Sequence, residues 1–492
     1  MTKNIKERSL SNMAWRFAER CGAQGVAFII SIILARLLDP SAYGTIALIT
    51  VFTAILQVFV DSGLGNALIQ KKNADQIDFS TVFYFNIAMC LIVYMVLFFC
   101  APFIANFYED SSLTGLIRVL GITLIISGLK NIQQAYVSKK MLFKKFFFST
   151  LSGTIFAAIL GISLAYMGFG AWALVIQQVA NTFIDTCVLY ATVKWRPTRE
   201  FSFERLNSLF SYGWKLLISA LIDTGYNNLR SLLIGKIYSP SDLAYYNKGK
   251  QLPSLMVTNI NNSIDSILLP VMSEAQDDVN RVKNMTRRSI KISSYILWPV
   301  MMGVAVCSDS IISVLLTDKW LMCVPYLQLY CFTYAFWPIH TANLNAIKAM
   351  GRSDLFLKIE IIKKIIGLTS IIVSVNISVF AMAVAMAITA PISSFINAYP
   401  NKKLLKYSYF EQIIDIFPSL ILTFFMGGIV YSINLLDLDN IITLIIQIVS
   451  GFVIYYFGSR FLNLESFVYL KDIIKNYLGN YICVFDYLFI SS

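Results

Sequence analysis

Long apolar runs recur along this chain, and a short polar break separates each run from the next. A helix needs about 20 apolar residues to cross the hydrocarbon core of a bilayer, so the pattern predicts repeated membrane-spanning helices. The runs are continuous rather than alternating with a period of two, which argues against a β-barrel. We therefore predict an all-α integral membrane protein with about 14 transmembrane helices. The predicted spans are 12–38, 43–69, 80–107, 112–137, 146–167, 169–193, 207–237, 242–272, 286–316, 323–348, 354–376, 378–400, 411–434 and 440–462.

The distribution of lysine and arginine predicts the orientation of these spans. Alternate breaks are rich in cations, as at Lys139 and 281–288, whereas the intervening breaks hold few cations and several acids, such as Asp39 and Glu109. Because cytoplasmic loops are enriched in lysine and arginine, both termini and the tail 466–492 are expected on the cytoplasmic side of an inner membrane. The first span contains charged residues, so we interpret it as a retained span and not as a cleaved signal peptide.

A heptapeptide at the end of the first span recurs at the end of the seventh. The sequence Ala-Arg-Leu-Leu-Asp-Pro-Ser at 35–41 resembles Gly-Lys-Ile-Tyr-Ser-Pro-Ser at 235–241 in its cation and its Pro-Ser pair. Halves with six spans each repeat in the same orientation, so we predict two parallel six-helix lobes that rock around a central site. The predicted domains are the lobes 1–200 and 201–405, an extra pair of spans in 406–465, and the cytoplasmic tail 466–492.

Several predicted spans carry polar residues at steps of three and four, which places these residues on one helix face. A charged side chain at the bilayer centre costs about 3 kcal/mol or more unless it faces water or a partner. These faces predict an aqueous cavity between the lobes, lined mainly by the first, second, seventh and eighth spans. The alternative is that the polar groups pair across helices and only specify packing. The substrate-binding candidates are Arg16, Arg20 and Gln24 in the first span, Lys215, Asn227 and Arg230 in the seventh, and Lys250 and Asn261 in the eighth.

Acids within the spans are the candidates for coupling transport to an ion gradient. They are Glu19, Asp61, Asp223 and Asp265. Glu19 has the alternative role of neutralising a neighbouring arginine. The sixth span carries a further polar face, formed by Gln177, Asn181 and Asp185.

Composition limits the chemistry that the chain can perform. Of its residues, 57% are hydrophobic and 14% are charged, against about 25% charged in soluble domains. The net charge of +12 is spread over short loops and spans, so we expect no nucleic-acid partner. With a single histidine and no hydrolase or nucleotide-binding motif, the sequence predicts no catalytic site, no metal site and no cofactor. The histidine, His340, follows Trp337-Pro338, where packing or helix bending is favoured over proton relay.

Four segments, in this order along the chain, carry a resemblance to a known family. They are Leu34–Gly44, with Leu-Ala-Arg-Leu-Leu-Asp-Pro-Ser-Ala-Tyr-Gly; Asp61–Gln70, with Asp-Ser-Gly-Leu-Gly-Asn-Ala-Leu-Ile-Gln; Gly168–Leu174, with Gly-Phe-Gly-Ala-Trp-Ala-Leu; and Leu269–Ser273, with Leu-Pro-Val-Met-Ser. Over about residues 10–405, the chain resembles the Wzx-type polysaccharide exporters of the multidrug/oligosaccharidyl-lipid/polysaccharide (MOP) superfamily. The colanic-acid exporter type is the most similar of these.

The resemblance implies a fold like that of the MATE transporters and a flippase activity. The substrate would be an undecaprenyl-diphosphate-linked oligosaccharide, moved from the cytoplasmic to the periplasmic leaflet by alternating access and driven by a proton or sodium gradient. Membrane lipids, a polysaccharide polymerase and other export machinery would be the partners.

Two other functions stay open at this point. A drug antiporter of the same superfamily would need an anionic and aromatic lining, and the excess of cations argues against it. A membrane polysaccharide polymerase or ligase would need a large outside loop, and all the predicted outside loops are short.

Overall fold

Helices form all the regular secondary structure of the computed structural model, which describes residues 22–61, 64–71 and 73–472. No β-strand occurs within those ranges. In hydrocarbon a helix satisfies its backbone hydrogen bonds internally, which explains why apolar runs of this length fold in this way. The predicted all-α class is confirmed. The chain divides into two compact units, 1–244 and 245–492, which are described separately below.

The N-terminal unit consists of eight described helices and the start of a ninth. They are α1 (Gly22–Leu37), α2 (Pro40–Asp61), α3 (Leu64–Gln70), α4 (Gln76–Phe107), α5 (Leu113–Lys139), α6 (Phe143–Tyr166), α7 (Ala171–Thr192), α8 (Phe203–Ile237) and the first residues of α9 (Pro240–Glu274). Here α8 packs against α2, α3 and α4, although the repeat assigns it to the second predicted lobe. The lobe boundary at residue 200 stays a prediction.

The C-terminal unit contains the rest of α9 and a second group of helices. They are α10 (Val279–Val306), α11 (Ser308–Leu316), a 3₁₀ turn (Asp318–Cys323), α12 (Val324–Ala335), α13 (Trp337–Ala349), α14 (Ser353–Ser374), α15 (Val379–Ala398), α16 (Asn401–Leu404), α17 (Tyr409–Ser432), a second 3₁₀ turn (Ile433–Leu436) and α18 (Asn440–Phe461). After α18 the segment 465–472 is helical, and the remainder of the predicted tail lies outside the described residues.

Nine helices in the described ranges are long and apolar enough to cross a membrane. All nine coincide with predicted spans. The other predicted spans fall on helices that are short, charged or broken, such as α8, α9 and the pair α12–α13. The break at Phe336 precedes Trp337-Pro338, where a proline lacks the N–H that a continuous helix would need. The total of 14 spans stays a prediction.

The two copies of the repeated heptapeptide form the same local structure. In the first copy α1 ends at Leu37 and α2 begins at Pro40, and in the second α8 ends at Ile237 and α9 begins at Pro240. Each proline occupies the first position of its helix, where its fixed φ is favourable and no N–H is needed. The heptapeptide is therefore a helix–corner–helix unit that the chain uses twice.

The two corners contact each other within the N-terminal unit. A methyl group placed on Gly44 of α2 would lie 1.6 Å from the carbonyl oxygen of Pro240, so glycine alone allows this approach of the two backbones. A methyl group on Gly235 of α8 would lie 2.7 Å from the side chain of Leu48. The corners close tightly because each presents a glycine to the other.

The start of α4 is held by buried charge. Asp75 and Asp78 form a reciprocal capping box, in which each carboxylate accepts a hydrogen bond from the backbone N–H of the other. Asp78 is fully buried and pairs with Lys71 at 2.8 Å and with Arg205 at 3.3 Å. Arg205 also contacts Asp75 at 2.5 Å. These contacts fix the first turn of α4 against the start of α8.

Candidate functional site

Three of the predicted site residues, Arg16, Glu19 and Arg20, lie outside the described residues. Gln24 is described and is exposed on α1. Lys215 is a residue of α8. The other candidates lie on α2, α8 and α9.

One face of α8 carries three of the predicted residues at steps of four and three. Asp223 and Asn227 are exposed, and Arg230 is half-buried. The Nε atom of Arg230 is buried and has no hydrogen-bond partner among the described residues. A guanidinium with an unused donor in an apolar setting is costly, so this position favours an anionic partner or water.

The predicted face of α9 is partly satisfied by a neighbouring helix. Asn345 of α13 donates a hydrogen bond of 2.6 Å to the carboxylate of Asp265, and Thr341 donates to the side-chain carbonyl of Asn261. Asp265 nevertheless stays exposed, and Asn261 and Lys250 are half-buried. Pairing across helices thus holds for two of these groups, although each keeps part of its surface accessible.

Asp61 ends α2 beside a polar part of α5. Its Oδ1 atom accepts a hydrogen bond of 3.2 Å from Gln57, and Asn131 approaches the same atom at 3.5 Å while donating to the carbonyl of Val60 at 3.0 Å. Lys130 lies within electrostatic range of the carboxylate. Asp61 itself is exposed. An exposed carboxylate with a cation nearby can bind and release a small cation or a proton.

An ion pair that we did not predict lies within the N-terminal unit. Lys130 of α5 and Asp185 of α7 are 2.5 Å apart, with 19% and 9% of their side chains exposed. The second carboxylate oxygen of Asp185 and the side-chain oxygen of Asn181 are buried without a hydrogen-bond partner in the described part of the chain. The sequence did contain the signal, because a lysine inside an apolar run needs an acid or water nearby.

A second polar group in the C-terminal unit is built from amides. Asn343 and Gln412 exchange hydrogen bonds of 2.8 and 3.0 Å, and Asn401 donates to Asn343 at 2.7 Å. The side-chain amide nitrogen of Asn397 lies 2.7 Å from Nδ1 of His340. The three bonded amides are fully or almost fully buried. This group joins α13, α15, α16 and α17, and it agrees with a packing role for His340.

No group of three or more histidine, cysteine, aspartate or glutamate side chains within the described ranges could hold a metal ion. The polar side chains that these ranges do bring together are amides, cations and carboxylates. Such groups bind and orient polar molecules.

Comparison with known proteins identifies a family and several relatives, two of which are described below. The family model described as "Polysaccharide biosynthesis protein" matches residues 33–325. The teichuronic acid biosynthesis protein TuaB of Bacillus subtilis is 28% identical over 310 residues, which cover 62% of this chain and 63% of that protein. The lipopolysaccharide biosynthesis protein WzxC of Escherichia coli is 20% identical over 376 residues, covering 75% and 76% of the two chains.

Among solved structures, the fold matches that of the lipid II flippase MurJ in an inward closed conformation. The TM-score is 0.74 at 14% sequence identity, and the match covers 93% of this chain and 99% of that chain. The predicted transporter-like fold is confirmed.

Proposed function

Because this chain belongs to the family of polysaccharide biosynthesis proteins, we propose that it is a flippase for lipid-linked oligosaccharides. In this proposal it moves an undecaprenyl-diphosphate-linked repeat unit across the bacterial inner membrane by alternating access, with both termini in the cytoplasm. The names of TuaB and WzxC place those relatives in the biosynthesis of surface polysaccharides. The solved structure with the same fold is that of a lipid II flippase, which favours translocation over catalysis.

The proposal rests mainly on the environment of Arg230. This arginine lies on α8, which covers a predicted membrane span; the residue is half-buried and keeps a buried donor without a partner among the described residues. A diphosphate is the group that such a donor binds best, because charge-assisted hydrogen bonds to phosphate oxygens are about twice as strong as neutral ones. Asp223 and Asn227 on the same face add hydroxyl-binding groups suited to sugars. We infer that this face lines an aqueous cavity in the membrane.

The energy source in this proposal is a proton or sodium gradient. Asp61 and Asp265 are exposed carboxylates with hydrogen-bond donors at their sides, and together with Asp223 and Glu19 they are the coupling candidates. A carboxylate that changes its partner between two conformations links cation binding to the movement of the substrate.

Export in the natural host tests the function. Deletion of the gene should abolish surface polysaccharide and cause undecaprenyl-diphosphate-linked repeat units to accumulate on the cytoplasmic side. Arg230→Ala should fail to restore export while reaching the membrane in normal amounts, because the diphosphate loses its cation. Mass spectrometry of the extracted lipid intermediates and quantification of surface glycan measure both effects.

Arg199→Ala is the matched control, since Arg199 is an exposed arginine in the loop before α8. It should restore export fully. Normal surface glycan in the Arg230→Ala strain at native expression would refute the role of Arg230. Normal glycan in the deletion strain would refute the proposed function.

A further inference from the structure

A cationic cavity lies at the beginning of α10, on the predicted cytoplasmic side. Its volume is about 560 Å³, and its walls come from α10 and from the start of the segment that follows α18. Four cations and two acids line it, so the wall carries a net positive charge. The charged residues that define this cationic cavity are Asp278, Arg281, Arg287, Arg288, Lys291 and Glu465.

Two of the four cations already have acidic partners. Arg287 makes a two-pronged contact with Asp415, at 2.7 and 2.8 Å, and Lys291 pairs with Glu465. The other two, Arg281 and Arg288, are exposed and make no ion pair within the described ranges.

Arg288 is positioned in the cationic cavity by an aromatic ring. Its guanidinium carbon lies 4.2 Å from the ring centre of Tyr469, a cation–π contact that leaves its N–H groups able to donate to an anion. The cavity thus offers two guanidinium groups to an anion.

The same face of α10 becomes apolar one to two turns further along. Positions 281, 284, 288 and 291 follow one another at steps of three and four, and Tyr295, Pro299 and Gly303 continue that series. These three line a second cavity of about 550 Å³, together with Met426, Phe452 and Tyr455 of α17 and α18. At about 1.5 Å per residue, Arg288 and Tyr295 are about 10 Å apart along the helix. The cationic cavity and this second, apolar cavity therefore follow one another along the same face of α10.

We propose that these two cavities together bind an anionic phospholipid of the cytoplasmic leaflet. The phosphodiester headgroup is bound by Arg281 and Arg288, and an acyl chain occupies the apolar cavity. Basic pockets between helices at the cytoplasmic surface are typical sites for such headgroups. Phospholipid is favoured over the rarer isoprenoid diphosphate because it forms the leaflet itself. At similar affinities, the more abundant ligand occupies the larger fraction of sites.

The test uses the purified full-length protein, stripped of lipid in detergent and titrated by native mass spectrometry. The probes are dioleoyl-phosphatidylglycerol, dioleoyl-phosphatidylcholine, undecaprenyl diphosphate and inorganic pyrophosphate. Phosphatidylglycerol should bind at least about tenfold more tightly than phosphatidylcholine. The double variant Arg281→Gln/Arg288→Gln should lose about tenfold or more of that affinity, because each cation near a membrane surface contributes roughly one kcal/mol.

Two further variants separate the headgroup from the tail. Lys402→Gln/Lys403→Gln removes two exposed cations elsewhere on the same predicted side and should leave binding unchanged. Gly303→Leu fills the apolar cavity, and no atom lies within 4 Å of the position that its Cβ would take. It should weaken binding of dioleoyl-phosphatidylglycerol several-fold but leave short-chain dihexanoyl-phosphatidylglycerol unaffected.

Several results would overturn the proposal. Equal losses in the two double variants would show that general positive charge, and not this cavity, attracts the lipid. Tighter binding of undecaprenyl diphosphate than of phosphatidylglycerol would assign the cavity to the transported lipid, and equal binding of pyrophosphate would assign it to free anions. The proposed flippase function is independent of these outcomes, since it is measured by export in the host.

Discussion

At the scale of single residues, the ion pair between Lys130 and Asp185 shows how the helices tolerate charge. Both side chains are mostly buried, and the carboxylate keeps one oxygen without a described hydrogen-bond partner. The pair therefore stabilises the fold only as long as both members are present. Removal of one partner leaves a buried charge, whereas removal of both leaves an apolar contact.

Lys130→Met should lower the free energy of unfolding by about 3 kcal/mol, because Asp185 is then left buried without its cation. Lys130→Met/Asp185→Leu should recover most of this loss. Thermal unfolding in detergent, followed by intrinsic fluorescence, measures both variants. Lys403→Met, at an exposed position, is the control and should unfold like the wild type. A double variant as unstable as Lys130→Met would contradict this explanation.

At the scale of elements, the first turn of α4 depends on charge as well as on capping. Arg205 and the backbone N–H of Asp78 both bond to the Asp75 carboxylate and hold its pKa below the ordinary value of 3.8. A lowered pKa in the folded state means that the carboxylate stabilises the fold above pH 3.8. This stabilisation is lost as the pH falls through the lowered pKa.

Asp75→Asn should lower the midpoint of thermal unfolding by a few degrees at pH 7, and the difference from the wild type should shrink as the pH is lowered below about 4. Asparagine keeps the helix cap, so only the charge is removed. Unfolding curves of both proteins between pH 3 and pH 8 test the prediction. A difference that is absent or constant over this range would show that the charge of Asp75 does not stabilise the fold.

The elements themselves were largely predictable, and their polar contacts were not. Apolar runs gave the position of α4 and of α18 to within a few residues, because the bilayer fixes the length of a spanning helix. The break at Phe336 was not predicted, since proline permits either a kink or a new helix. The contact of Asn261 with Thr341 of α13 depends on how α9 and α13 are rotated relative to each other. The polar pattern along a single helix does not determine this rotation.

At the scale of the whole molecule, the contact between the two repeated corners bears on alternating access. The approach of Gly44 to Pro240 leaves no space for a side chain. A conformation in which these corners separate has no such limit. A methyl group at residue 44 therefore raises the free energy of the conformation in which the corners are in contact. It leaves the conformation in which they are separated unaffected.

Gly44→Ala should shift the protein toward the conformation with open corners. Leu48 is buried beside Gly235, so Leu48→Cys serves as the reporter in a protein without the other cysteines. Opening of the corners should make this cysteine react faster with a membrane-impermeant maleimide in the Gly44→Ala variant than in its absence. Gly428→Ala is the control, since no atom lies within 4 Å of the added methyl group. Equal labelling rates in the two alanine variants would show that the corner does not open.

The pairing of Lys130 with Asp185 also constrains how the chain is made. The lysine leaves the ribosome 55 residues before the aspartate, so for that interval α5 carries a cation whose insertion alone costs about 3 kcal/mol. Only when α7 arrives does the cation acquire its direct ion-pair partner. We therefore expect α5 to insert less stably in a nascent chain truncated before residue 185 than in a chain that includes α7.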